Sequence, residues 1–123
     1  MVTGVVRWID LPSTDLEKSC AFYEEAFGWK ITRSESWPDY PMWSDSEDRV
    51  GGGFDKGLKP MGEAGIFLFI LVESIEDALK SVVAAGGKVA QDKKLISESV
   101  GWWASFLDPS GNLLGLWERP PRS

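Results

Sequence analysis

Asp15-Leu-Glu-Lys-Ser-Cys-Ala-Phe-Tyr-Glu-Glu-Ala-Phe-Gly-Trp29 is the stretch that decides the fold. Its apolar residues Leu16, Cys20, Phe22, Tyr23, Ala26 and Phe27 recur at three- and four-residue spacing, the period of a helix with one buried face. Ser13-Thr14-Asp15 supplies N-cap chemistry and Gly28 a C-terminal stop. Working outward, Gly4 to Leu11 is a short apolar run interrupted by Arg7 and Asp10 and ended by Pro12, which reads as a strand. Downstream, Trp29 to Ser34 alternates Trp29, Ile31 and Arg33 against Lys30, Thr32 and Ser34, a second strand. Pro38 and Pro41 bracket a turn-rich stretch, after which Met42–Asp45 and Val50–Phe54 read as strands on a weaker pattern.

After a linker rich in Gly, Lys, Pro and Met the same programme restarts. Ile66 to Val72 is a strand, and Glu73 or Ser74 caps a helix carrying Ile75, Leu79, Val82 and Val83, which Gly86-Gly87 stops. Lys88–Ile96, Val100–Leu107 and Leu113–Glu118 read as strands, with Asp108-Pro-Ser-Gly-Asn112 as the turn before the last. The expected organisation is α+β: two βαβββ modules, 4–57 and 66–118, joined by a linker at 58–65. Residues repeat as well as elements. Gly28-Trp-Lys-Ile31 matches Gly86-Gly-Lys-Val89, and Gly52-Gly-Phe54 matches Gly115-Leu-Trp117, each a Gly followed two residues on by an aromatic ring. Together with the order of elements, these matches favour duplication over coincidence.

Composition excludes several classes of function. At 123 residues the chain can bury roughly two-thirds of its unfolded surface, enough for a true core. No run nears the ~20 apolar residues of a membrane helix, and the N-terminus lacks the pattern of an export signal. A single cysteine, Cys20, excludes an internal disulfide framework and agrees with a reducing, cytoplasmic compartment. Its place in the helix reads as a buried structural thiol. A net charge of −6 argues against nucleic acid and tilts any ligand toward neutral or cationic molecules.

Two stretches, Asp15–Trp29 and Phe106-Leu-Asp-Pro-Ser-Gly-Asn-Leu-Leu-Gly-Leu-Trp-Glu118, together resemble the vicinal oxygen chelate superfamily of glyoxalase I, extradiol dioxygenases and bleomycin-resistance proteins. The resemblance covers essentially the whole chain. It implies paired βαβββ modules whose mixed, curved sheets form a cup, commonly completed by a dimer. Neither signature carries catalysis: the aromatic stripe reads as core, and Asp108–Asn112 as turn chemistry.

In metal-dependent members the cup holds a divalent ion through four side chains, typically His and Glu. Carried over from the signatures, those places fall on Trp8, Gly52, Phe67 and Gly115. None of these binds a metal, and neither do their immediate neighbours in sequence. The chain contains no His at all. The acidic run Asp45, Glu47, Asp48 and Asp55 lacks the spacing of a calcium loop and reads as a solvated turn. The expectation is therefore no metal and no cofactor. A recess of aromatic rings and glycines suits a flat or cationic organic ligand, held by Trp8 and Phe67 with Gly52 and Gly115 making room. Phe54, Trp43 and Trp103 line it, with Arg7, Asp10, Asp55 or Glu118 at the rim. Alternation puts Trp102 and Trp103 on opposite faces, so at most one faces the cup.

The expected function is a metal-free, homodimeric small-molecule-binding protein, with a small-molecule ligand and no nucleic-acid or membrane partner. An enzyme of the same scaffold, a lyase, isomerase or dioxygenase with a non-standard site, is the alternative. A protein-docking role for exposed Trp residues is a third.

Overall fold

A computed structural model describes residues 4, 6–60 and 67–121. The first half runs β1 (Trp8–Pro12), α1 (Leu16–Phe27), β2 (Lys30–Ser34), β3 (Trp37–Ser44) and β4 (Gly51–Asp55). The second runs β5 (Phe69–Leu71), α2 (Ile75–Ala84), β6 (Lys88–Ser97), β7 (Gly101–Leu107) and β8 (Leu113–Glu118). Each half makes its own four-stranded sheet, ordered β1-β4-β3-β2 and β5-β8-β7-β6. In both, the first strand lies parallel to the last and the other pairs are antiparallel. The shared topology is that of a repeated βαβββ unit, in an α+β fold with mixed sheets. No helix among the described residues is long and apolar enough to cross a membrane.

The helix ends follow local chemistry. Asp15 accepts the Lys18 amide at 3.1 Å, and Gly28 closes α1 in the left-handed region at φ 70. Ser74, rather than Glu73, caps α2 by accepting the Asp77 amide, and the Glu118 carboxylate takes the Ile75 amide at 2.8 Å. The last strand thus helps to seat the second helix.

Strand bounds depart from expectation where pairing decides them. β1 starts at Trp8, where its ladder with β4 begins, rather than at Gly4. β3 runs through Pro38 and Pro41 instead of turning between them, because its ladder pairs Trp37 and then Met42–Ser44. A proline between those pairs forfeits no ladder bond. β5 is limited to Phe69–Leu71, the three residues that pair with β8. Ile66 and residues 61–65 of the expected linker lie outside the described residues.

One continuous core joins the halves. Tyr23, Trp29 and Trp43 stack in a column with centroid separations of 4.5 and 4.2 Å, and Phe54 packs beside Tyr23. From α1, Phe22 and Phe27 reach across to Phe106 on β7 at 5.9 and 5.5 Å, while the two helices pack on each other. Cys20 is buried, which pushes its thiol up, the state of a structural rather than a reactive cysteine.

The Asp108–Asn112 turn does more than reverse the chain. Asp108, buried, accepts four hydrogen bonds: from the amides of Ser110 and Asn112 on one oxygen, and from the Tyr23 hydroxyl and the Asn112 side chain on the other. The Asn112 amide also donates to the Pro12 carbonyl at 2.7 Å, and Ser110 Oγ accepts the Thr14 amide. This network ties the β7–β8 hairpin of one half to β1 and α1 of the other. Every buried side-chain polar atom among the described residues has a partner.

Burial holds the Asp108 carboxyl above its ordinary value despite its donors, and burial together with Asp108 pushes the Tyr23 phenol well up. Both shifts mean that the folded state holds protons the unfolded chain would release. The stability tied to each is therefore lost with rising pH, for Asp108 above about 3.8 and for Tyr23 above about 10. Tyr23→Phe deletes one donor to a buried carboxylate and is expected to cost about 1.5–3 kcal/mol in urea denaturation at pH 7. A loss below about 0.5 kcal/mol would show that the network does not hold the halves together.

Candidate functional site

The register of each sheet assigns its two faces. In the first sheet Ile9, Gly52 and Trp43 share a row, and Leu11 pairs with Phe54; these lie against α1. The alternate rows, Trp8 with Gly51 and Ser44, and Asp10 with Gly53 and Met42, form the open face. In the second sheet Ile70, Leu116 and Ala104 lie against the core, while Phe69 with Gly115 and Ser105, and Leu71 with Trp117 and Trp103, make the open face. Both sheets turn their helix sides to the common core, so each open face looks away from it.

On the first open face the indole of Trp8 donates to the Tyr40 hydroxyl at 2.9 Å, and that hydroxyl donates to Asp10. The Tyr40 ring occupies the space a side chain on Gly53 would fill, so only glycine at 53 lets the ring lie down on β4. Burial, then the bond to Asp10, raise the Tyr40 phenol above its ordinary value. Trp8 is 55% exposed and Trp37 62%.

On the second open face Phe67 and Phe69 stack at 4.9 Å across Gly115. A Cβ there would meet their rings at 2.5 and 2.6 Å. Phe69 is 54% exposed, Leu71 stands beside it, and the half-buried Trp103 and Trp117 continue the surface. Trp117 is fixed by donating its indole proton to the Val100 carbonyl at 3.0 Å.

The expected site residues therefore separate. Trp8, Phe67, Gly115 and Trp103 lie on open faces. Trp43, Phe54 and Gly52 do not, because their rows face α1: Phe54 is fully buried, and Trp43 is stacked in the core and donates to the Gly53 carbonyl. Gly52 makes room for backbone and not for ligand, since a Cβ on it would stand on the Ile9 carbonyl. Gly51 and Gly53 are the glycines of β4 on the open face, and the Tyr40 ring fills the space over Gly53. Arg7 is exposed just ahead of β1, and its carbonyl accepts the Gly51 amide. Trp102 turns inward under Lys93, whose ammonium lies 4.8 Å from the ring centroid, which leaves Trp103 as the outward member of the pair. At the expected rim, Glu118 is spent on the Ile75 amide and on Lys93. Phe69, Leu71 and the anchoring role of Tyr40 escape the sequence reading. The two-residue alternation starting from Phe67 is the signal that carries the first two.

A cleft of about 800 Å³ lies between the halves, bounded by Ile9, Phe27 and the edges of Trp29 and Trp43 on one side and by Leu68–Val72 and Ala78 on the other. Of the eight expected site residues only Trp43 lines it.

The donor set does not suit the divalent ion of the metal-dependent relatives. Among the described residues no three His, Cys, Asp or Glu side chains come close enough to hold one. On the open faces the strands β1, β4, β5 and β8 present rings, glycines and the carboxylates Asp10 and Asp55, and Asp10 is engaged by a phenol.

Comparison with known proteins agrees with the architecture. A family model described as the Glyoxalase/Bleomycin resistance protein/Dioxygenase superfamily matches residues 5–116. A glyoxylase-like domain-containing protein from Didymella fabae is 25% identical over 122 residues, 95% of each chain. Among solved structures, hypothetical protein SA1046 from S. aureus superimposes with a TM-score of 0.74 at 20% identity, covering 96% of this chain and 95% of that one. TnmS3, described as an antibiotic binding protein from Streptomyces sp. CB03234, superimposes with a TM-score of 0.73 at 20% identity, covering 97% and 98%.

The two kinds of glycine are separable by mutation. Gly52→Ala drives a methyl into backbone and is expected to cost about 3 kcal/mol or more, the upper range of overpacking. Gly115→Ala meets ring edges at an exposed surface and is expected to cost less than about 1 kcal/mol. Urea melts of the two variants check this; equal losses would contradict the assignment of faces.

Proposed function

The chain belongs to the Glyoxalase/Bleomycin resistance protein/Dioxygenase superfamily, and from that premise we propose that it is a metal-free binding protein for a small aromatic or cationic organic molecule. The ligand lies on the open faces of the sheets, and a second copy of the chain covers it. The observation that carries this reading is a set of large exposed rings on the open face of each half, lying on glycines of the sheet. Tyr40 over Gly53, with Trp8 bonded to its hydroxyl, and Phe67 with Phe69 over Gly115 repeat one design: aromatic rings laid on a glycine of the sheet.

Binding of this kind needs affinity and neither a base nor a Lewis acid, which matches a chain without His. Rings as exposed as Trp8 and Phe69 on a soluble protein mark a surface meant to be covered. The description of TnmS3 as an antibiotic binding protein supports a binding role on this scaffold, and a single buried thiol is in keeping with a cytoplasmic setting.

Native mass spectrometry is expected to show a dimer that retains added 1-methylnaphthalene, a flat neutral probe, without stoichiometric metal. Trp8→Ala and Phe67→Ala are each expected to weaken the probe about threefold to tenfold, the worth of one aromatic contact. A stoichiometric transition metal in the purified protein, or affinity unchanged in both variants, would overturn the reading.

A further inference from the structure

Resting on that reading, we propose that the open face of the first sheet carries a subsite for an organic cation, with the Trp8 indole as its wall and the Asp10 carboxylate, positioned by Tyr40, as its anchor. Proton bookkeeping fixes the direction of the cluster. An indole N–H only donates, so the Tyr40 oxygen accepts it, and the single phenolic proton must go to Asp10. Tyr40 thereby orients the carboxylate through one oxygen and leaves the other available. Gly53 is part of the device, since a side chain there would lift the Tyr40 ring away from Asp10.

Charge on this face selects the sign of the ligand. Asp39 and Asp48, also in the first half, are each paired with a lysine, Lys56 and Lys30. Asp10 and Asp55 have no Lys or Arg within ion-pair distance among the described residues. Asp55 belongs to the same row system, two residues beyond Gly53, and is close enough to add to the rise of the Tyr40 phenol. One of its oxygens takes the Gly57 amide at 2.7 Å, which holds the side chain in place. An uncompensated carboxylate at Asp10, linked through Tyr40 to an indole that is 55% exposed, with Asp55 further along the same face, makes a surface that attracts an ammonium or an aromatic cation and repels an anion. An inorganic ion is a poor match, because one oriented carboxylate and a ring do not make a coordination shell.

The test is isothermal titration of the intact protein with two probes of one shape, 1-methylquinolinium, which is cationic, and 1-methylnaphthalene, which is neutral. The cation is expected to bind about tenfold more tightly at low ionic strength, with the margin shrinking as salt is added. Asp10→Asn keeps an acceptor for Tyr40 and is expected to abolish most of that margin while leaving the neutral probe unchanged. Tyr40→Phe, which releases the carboxylate from its set position, is expected to weaken the cation about threefold and the neutral probe far less. Equal affinities in the intact protein, or a cation preference that survives Asp10→Asn, would overturn this inference and leave the broader reading standing. Failure of both probes to bind would overturn the two together.

Discussion

The buried carboxylate of Asp108 is the constraint on which the rest of the structure depends. A charged group removed from water is tolerated only when its lone pairs are used, and here all the donors come from fixed places. Two are backbone amides of its own turn, one is the side chain of Asn112, and one is the phenol of Tyr23 on the helix of the other half. Satisfying Asp108 therefore fixes how the second hairpin meets the first helix. Asn112 extends the constraint to Pro12 at the end of β1. With that contact set, the aromatic column of Tyr23, Trp29 and Trp43 fills the space on one side of the first sheet, and the other side is left open.

Much of this was legible in the sequence because it rests on local chemistry. The caps at Asp15 and Ser74, the stop at Gly28 and the repeated order of elements follow from residue type and spacing alone. What was not legible was the phase of each strand relative to its neighbours. A shift of one residue moves a side chain to the opposite face. On β4 that shift separates Gly52, which admits backbone, from Gly51 and Gly53 on the opposite face, where Gly53 admits the Tyr40 ring. It also separates Trp43, in the core, from Met42 beside it. The role of Asp108–Asn112 as a join between halves was hidden for another reason: its partners Tyr23 and Pro12 lie 85 and 100 residues away in the chain.

The same division of faces gives the functional argument its form. Rings facing α1 are satisfied by packing, whereas Trp8, Phe67, Phe69, Trp103 and Trp117 have neighbours on one side only. Their arrangement repeats across the halves with different chemistry. The second face is mainly aromatic and aliphatic at its centre, with Ser105 beside Gly115, and the first adds a phenol and two carboxylates. A ligand held between the first face of one copy and the second face of another would have a flat apolar body and a cationic end, in keeping with the acidic balance of the chain.

The seven indole N–H groups provide the most direct test, since they are distributed over the open faces, the core and the rim. Proton–nitrogen correlation spectra recorded while 1-methylnaphthalene is added should show the indole signals of Trp8, Trp103 and Trp117 shifting together, with those of Trp29 and Trp43 unmoved. Shifts confined to Trp29 and Trp43 would place the ligand in the cleft between the halves and contradict the assignment of the open faces as the binding surface.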